Sequence, residues 1–283
     1  MTPVVAVIAP GAMGAAVGKR LTDRGVKVLT SLTGRSAGSA ARARDAGMTD
    51  ASDTEIAACD FILSILPPGE ALALAGRFTL WLKASNAKPV YVDCNAINPA
   101  TVERVAAAIA PTGCPFVDAG IIGAPPKGAD AGPRFYASGA AAPRFATLRQ
   151  YGLDVRVLDG ALSAASALKM SYAGITKGTQ AIGAAMMLAA TRAGSAEALF
   201  AELSFSQKEL LALFRQHLPM MPAKAYRWIA EMQEIAGFVG DDPAARELYQ
   251  GAAHFYERMA EDFAADKEVM SALKAFLAKR SDA

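Results

Sequence analysis

Lys169 stands in a run of small and apolar residues, Gly160-Ala161-Leu162-Ser163-Ala164-Ala165-Ser166-Ala167-Leu168-Lys169-Met170-Ser171-Tyr172-Ala173-Gly174-Ile175-Thr176-Lys177-Gly178. An amine kept partly out of water loses some of its proton affinity and can serve as an acid–base group. At helical spacing Lys169, Tyr172, Ala173 and Thr176 share a face. The alternative is a lysine whose stem lies along the helix and whose amine reaches solvent. Only His217 and His254 are available for imidazole chemistry, and Cys59, Cys94 and Cys114 are odd in number, far apart and outside any CxxC pair. A metal site or a histidine-based triad therefore has few places to sit, and the cysteine pattern suits a reducing cytoplasm.

A second chemical signal lies near the start, in Val4-Val5-Ala6-Val7-Ile8-Ala9-Pro10-Gly11-Ala12-Met13-Gly14. A buried strand running into a glycine turn and then a helix is the setting in which backbone N–H groups hold a pyrophosphate. Pro10, Gly11, Ala12, Met13 and Gly14 form that turn: Gly11 lets the backbone approach the anion, and Gly14 lets the helix pack on the strand. Ala9 occupies the place of the usual first glycine, and a purely structural strand–helix turn is the competing reading. After the second apolar run comes Thr30-Ser31-Leu32-Thr33-Gly34-Arg35-Ser36, with no acid before Asp45. A cofactor with a free 2′-hydroxyl usually meets a carboxylate there. Thr33, Arg35 and Ser36 suit a 2′-phosphate instead, so NADP (as NADPH) is expected over NAD, with a helix-capping or solvated Arg35 as the alternative.

These groups need a scaffold that brings strand ends together. Apolar runs at residues 4–9, 26–30, 61–66, 90–93 and 116–119 alternate with Ala-rich helical stretches at 15–24, 37–46, 70–82 and 101–110. That alternation predicts an α/β Rossmann-type parallel sheet covered on both faces, with further edge strands at 134–137 and 155–158. Ligands bind outside the carboxyl ends of such strands. Three turns fall there: Leu66-Pro67-Pro68-Gly69, Asp93-Cys94-Asn95-Ala96-Ile97-Asn98-Pro99, and Asp118-Ala119-Gly120-Ile121-Ile122-Gly123-Ala124. After Gly160 strand signals vanish. One long helix is expected over 161–191, its Gly174, Gly178 and Gly183 implying close contact with a neighbouring backbone. An all-helical C-terminal domain follows, broken at Leu218-Pro219-Met220-Met221-Pro222 and Gly240-Asp241-Asp242-Pro243. The expected division is a nucleotide domain over 1–160, an interdomain helix over 161–192 and a helical substrate and dimerisation domain over 193–283.

Composition narrows the class. The 283 residues are 53% hydrophobic and 20% charged, with a formal net charge of +2 and 7% aromatics. That is too apolar for a disordered chain. It offers no basic patch for nucleic acid or an anionic membrane, and no apolar run is long enough to read as a membrane span. Residues 1–5 lead straight into the first strand and do not read as a signal peptide, so a cytoplasmic protein is expected.

Taken together these motifs resemble the β-hydroxyacid dehydrogenase superfamily, which includes 6-phosphogluconate and 3-hydroxyisobutyrate dehydrogenases. Gly11, Met13 and Gly14 match its G-x-G-x-M-G pattern, with Ala9 departing. Leu66-Pro67 matches the Leu-Pro that the resemblance places beside the nicotinamide, and Asn95 stands where its D-x-S-T-x-x-P turn has a hydroxyl. Lys169 falls on the catalytic lysine, which the resemblance makes the acid–base group while hydride passes to or from the nicotinamide. The V-S-G-G substrate loop falls on Ile121-Ile122-Gly123-Ala124, so Ile122 replaces the serine that helps hold a carboxylate. The helix asparagine expected four residues after the lysine is Ala173, with Tyr172 beside it.

The helical half, marked by Pro222-Ala223-Lys224-Ala225-Tyr226-Arg227-Trp228-Ile229-Ala230-Glu231-Met232, resembles a phosphogluconate-dehydrogenase-like domain of unknown function. Read locally, Arg227 and Glu231 make an exposed ion pair, and Trp228 and Met232 a core stripe. Read through the resemblance, Arg227 and Glu231 join Ile122, Gly123 and Lys169 as substrate residues. The resulting expectation is an NADP-dependent dehydrogenase or reductase acting on a hydroxy or oxo compound larger and more polar than hydroxyisobutyrate. Lys169 is its acid–base group, Tyr172 or Asn95 orients the reacting oxygen, and the active form is a homodimer. An imine reductase and a non-catalytic dinucleotide sensor are the alternatives.

Overall fold

The computed structural model describes residues 2–128 and 132–279. In chain order the elements are β1 (Val4–Ile8), α1 (Ala12–Thr22), β2 (Lys27–Thr30), α2 (Ala37–Asp45), β3 (Thr49–Asp50), α3 (Asp53–Ala57), β4 (Phe61–Ser64), α4 (Ala71–Ala84), β5 (Val90–Asp93), α5 (Pro99–Ile109), β6 (Phe116–Ile122), β7 (Arg134–Ser138), α6 (Ala142–Phe145) and β8 (Asp154–Val157). The helical part comprises α7 (Ala164–Arg192), α8 (Ala196–Ser206), α9 (Lys208–His217), α10 (Pro222–Phe238), α11 (Pro243–Ala264) and α12 (Glu268–Leu277). The chain divides into compact units at 1–170 and 171–283, and the division falls within α7.

In the first unit the strands form one sheet in the order β3-β2-β1-β4-β5-β6-β7-β8. Every pairing is parallel except β6 with β7. Alternation along β1 sends Val5 and Val7 into the layer that holds Val17 and Leu21, and Ala6 and Ile8 into the layer that holds Ile62 and Phe78. Both faces are therefore covered, as the continuous apolar strands require. Each fully buried Val, Leu, Ile or Phe side chain among these contributes roughly 1.5–3 kcal/mol of transfer free energy.

The helices start on local chemistry. Ser36 accepts a hydrogen bond from the Ser39 N–H at the head of α2, Ser52 and Glu55 make a reciprocal capping box on α3, and Asn98 caps α5 ahead of Pro99. β3 and α3 escape an apolar-run reading because β3 is two residues long and exposed, and α3 is five. The first helix begins at Ala12 rather than at residue 15, because Gly11 is already its N-cap.

The second unit is all helical. Asp242 caps α11 by accepting from the Ala244 and Ala245 N–H groups, with Pro243 in the first turn. The glycines of α7 differ in one respect from expectation. What approaches them is aromatic side chains, not a neighbouring backbone: a Cβ on Gly174 would meet the Tyr249 hydroxyl at 2.8 Å, and one on Gly183 would overlap the Phe214 ring. Phe214 is buried and has little room to withdraw. Among the described residues no helix is long and apolar enough to cross a membrane.

Replacing a helical glycine by alanine normally stabilises by about 1 kcal/mol. Gly183→Ala is instead expected to destabilise by about 1–3 kcal/mol, the usual cost of overpacking. In a Phe214→Leu background the same change should be close to neutral or stabilising; equal costs in both backgrounds, measured by urea denaturation, would refute the contact argument.

Candidate active site

The turn after β1 is built for close approach. Gly11 opens α1 with extended backbone, no side-chain cap and no acidic residue in the first turn. A Cβ on Gly11 would meet nothing within 4 Å, so the space over the helix end is open. A Cβ on Gly14 would overlap the Ala9 carbonyl, so only glycine lets α1 sit this close to the end of β1. Uncapped N–H groups and the positive end of the helix dipole suit a dinucleotide's pyrophosphate at this place. Pro10 is buried, Ala12 faces out, and Met13 packs against the core of the sheet layer that holds Val5 and Val7.

At the carboxyl end of β2, Thr33 and Ser36 are exposed and Arg35 is half-buried, its guanidinium 3.8 Å from the Glu70 carboxylate. Sequence reasoning passed over Arg42. Its Nε donates to the Pro10 carbonyl at 3.1 Å and its Nη2 to the Ser39 hydroxyl at 2.9 Å, so a second cation borders the glycine turn. The signal available was its place on α2, two turns past Ser36. Asp50, on β3, spends a carboxylate oxygen on the Leu32 N–H.

The centre of the sheet carries a polar row at its carboxyl edge. Strand register places Ser64 beside Asp93, Asp93 beside Asp118, and Asp118 opposite Ser138, and all four are fully buried. Asn95 is buried with them: its Nδ2 donates to the Ser64 hydroxyl at 2.8 Å and its Oδ1 accepts from the Leu66 N–H. Asn95 thus ties the end of β5 to the end of β4 and holds Leu66, while Pro67 stays exposed. Burial pushes the Asp93 carboxyl up to about 7, against bonds from Asn95, and the neighbouring Asp118 adds to the rise. Burial also lifts Asp118, to about 6, opposed by its bonds to Ser166 and Ser138. The row was visible only as single polar residues ending apolar strands; register makes it a cluster.

Lys169 is half-buried on α7, and its Nζ donates at 2.8 Å to the carbonyl of Ile121, the penultimate residue of β6. The amine does not run out to water along its own helix. Loss of solvent lowers its pKa to about 8. Ile122 is half-buried and Gly123 exposed with φ +128°, a backbone conformation that favours glycine.

Within the second unit, Tyr172 is 49% exposed and Ala173 is buried. Arg227 is exposed and lies over the Tyr226 ring at 5.4 Å. It does not form the expected ion pair with Glu231. Glu231 instead pairs with Lys177, whose amine also lies 5.1 Å from the Trp228 ring centre. Trp228 and Met232 do face inward, Trp228 packing edge-on against Tyr256 at 5.1 Å.

Residues 4–151 match the family described as the NAD binding domain of 6-phosphogluconate dehydrogenase. The chain belongs to the 6-phosphogluconate dehydrogenase-like superfamily of β-hydroxyacid dehydrogenases. Residues 190–259 match a domain of unknown function (DUF1932). The chain is 30% identical to MTH1747, a conserved protein of unknown function described as structurally similar to 3-hydroxyacid dehydrogenases, over 95% of this chain and 98% of that one, with a TM-score of 0.70. Two further solved structures share the fold. Mycobacterium tuberculosis 3-hydroxyisobutyrate dehydrogenase with L-serine is 22% identical over 97% of this chain and 99% of that one, TM-score 0.70. An imine reductase from Myxococcus stipitatus with NADP+ is 16% identical over 97% and 100%, TM-score 0.57. No curated protein matches the chain.

As a superfamily member the protein carries a nicotinamide-dinucleotide-binding domain, and its departures from the family pattern now have places. Ala9 is the residue whose carbonyl excludes a side chain at 14, Asn95 binds within the protein, and Ile122 offers no hydroxyl beside Gly123.

The buried acids give a sign-definite pH effect. Asp93 keeps its proton up to about 7 in the folded chain, against an ordinary 3.8, so the folded state binds more protons between those values. Stability therefore falls as pH rises through that window, and the loss is complete above it. Asp93→Asn can still accept the bond from the Asn95 N–H and has no charge to bury. Its fall in Tm from pH 5 to pH 8 should be smaller than that of the wild type by roughly 3 °C or more; parallel curves would show that Asp93 is ionised at no cost.

Proposed function

We propose that the protein is an NADP-dependent oxidoreductase that moves hydride between the nicotinamide and a hydroxy or oxo substrate, with Lys169 as the acid–base group. The observation that carries this reading is the half-buried Lys169 amine at the carboxyl end of β6, held near a pKa of about 8. Such an amine exchanges a proton near neutral pH without a metal or a histidine. The bound cofactor supplies the hydride.

The chain's own residues do the rest. Gly11 and the start of α1 receive the pyrophosphate, with Pro10, Ala12, Met13 and Gly14 shaping that turn. Arg35 and Ser36, joined by Arg42 and with Thr33 beside them, favour a 2′-phosphate and hence NADP over NAD. Leu66 and Pro67 border the nicotinamide, with Asn95 holding Leu66 in place. Ile122 and Gly123 form one wall for the substrate. Tyr172 is assigned to orienting the reacting oxygen, and Arg227 and Glu231 to substrate contacts by the superfamily resemblance; Glu231 brings Lys177 with it as an ion-pair partner. With Ile122 in place of a serine, the loop is poorly suited to a small carboxylate, which favours a larger, polar hydroxy or oxo compound. The same feature favours an imine substrate as the second reading. The homodimer belongs to the proposal as well, on the strength of Ile175, Ile182, Met186 and Leu248, each more than half exposed in the second unit.

The test begins with titration of NADPH and NADH, NADPH binding the tighter, followed by a screen of hydroxyacids, oxoacids and cyclic imines. Lys169→Ala should keep NADPH affinity and lose about two to four orders of magnitude in kcat. Full turnover in that variant refutes the acid–base assignment, turnover of imines alone selects the second reading, and NADPH binding without turnover across the screen leaves a sensor. Light scattering should give twice the chain mass; a monomer refutes the dimer.

A further inference from the structure

The first turn of an α-helix leaves four backbone N–H groups without intrahelical partners. In α7 the Ala164 N–H bonds the Ala161 carbonyl, and the Ala167 N–H makes the first regular helical bond, to the Ser163 carbonyl. The two between them are taken by side chains of the sheet: Ala165 N–H donates to Ser138 Oγ at 3.0 Å, and Ser166 N–H to Asp118 Oδ2 at 2.7 Å. Ser166 also donates its hydroxyl to Asp118 Oδ1 at 2.6 Å, and Ser138 donates its own to the Leu162 carbonyl at 2.7 Å. Because a hydroxyl has one proton, the 3.5 Å approach of Ser138 to Asp118 is the weaker contact. A buried carboxylate at the positive end of a helix is held there by both charge and direct bonds.

The same strand then carries the lysine. Asp118 and Gly120 lie on one face of β6. A Cβ on Gly120 would meet the Ala165 carbonyl at 2.9 Å and Lys169 Cβ at 3.0 Å, so β6 and α7 touch backbone to backbone there. The next carbonyl, that of Ile121, receives Lys169 Nζ. Ser166 and Lys169 are three residues apart, one helical turn, so a shift of the first turn moves the lysine with it.

We propose that Asp118 is a positioning residue for Lys169: by seating the first turn of α7 on β6, with Ser138 beside it, it sets where the lysine amine is held. The catalytic consequence rests on the acid–base reading of Lys169 above, while the placement itself does not. Loss of water is what lowers the lysine pKa, so an unseated helix returns the amine toward the ordinary lysine range.

The test reads the amine directly. Trace labelling with acetic anhydride across pH, scored on the Lys169 peptide by mass spectrometry, should give the wild type a midpoint near 8. Asp118→Ala should move it up by about one pH unit or more, toward the unperturbed value. Asp118→Asn, which can still accept from the Ser166 N–H, should restore most of the shift. If Asp118→Ala does not fold by circular dichroism, Ser138→Ala decides, with a smaller movement in the same direction. An unchanged midpoint in a folded Asp118→Ala, or in Ser138→Ala where that variant decides, overturns the proposal, as does an Asp118→Asn midpoint equal to that of Asp118→Ala. Where turnover is found, Asp118→Ala should lower kcat by about tenfold to a hundredfold with NADPH affinity kept. A wild-type midpoint near 8 without turnover on any substrate defeats the functional reading and leaves the positioning role standing.

Discussion

Two backbone N–H groups at the head of α7 find their acceptors on side chains of β6 and β7, and much of the candidate site follows from that constraint. A helix end buried against a sheet must have its bare donors paired, because each one left unpaired costs about 1–3 kcal/mol. Asp118 and Ser138 supply the acceptors, and Gly120 removes the side chain that would hold the helix off. With the first turn seated, Lys169 has little choice of position: the Ile121 carbonyl is the acceptor one strand residue beyond Gly120. The arrangement places an amine of lowered basicity at the edge of the sheet where ligands of this fold bind.

Keeping Asp118 there has an electrostatic cost that spreads along the row. Asp93 is its lateral neighbour, and two carboxylates buried side by side do not both ionise easily. Asp118 has donors from Ser166 to stabilise its charge, whereas Asp93 has one oxygen bound to the Asn95 N–H and the other without a hydrogen-bond partner among the described residues. The proton therefore belongs mainly to Asp93. Asn95, next along the chain, fastens the same edge to Leu66 through β4. The strand ends that border the expected cofactor are thus joined by side-chain bonds as well as by the backbone ladder.

Much of the first unit was legible in the residues. Continuous β-branched runs require a sheet buried on both faces, and the strands appear where those runs lie. The glycine turn was legible too, because a Gly14 packed on a strand end has no substitute. β3 and α3 were not, since a two-residue exposed strand and a five-residue helix are too short to show a period. Arg42 escaped notice because its role comes from reaching the Pro10 carbonyl across the chain. The Arg227 and Glu231 pairing failed for a related reason: spacing of four allows a bond along one helix, but Lys177 on α7 offered Glu231 a partially buried cation that a local reading does not see.

What the amino-acid order determined by itself was the class of the fold, the glycine turn, the family, and a lysine in apolar surroundings. Each depends on short-range pattern: side-chain period, turn chemistry, local composition. Only the tertiary structure decided whether that lysine reached water or the sheet, and which of two neighbouring acids is the more easily protonated. Those outcomes depend on strand register, which sets Asp93 beside Asp118, and on helix seating, which brings Lys169 to the Ile121 carbonyl. Neither is encoded within any single element, since both arise where two elements distant in sequence are pressed together.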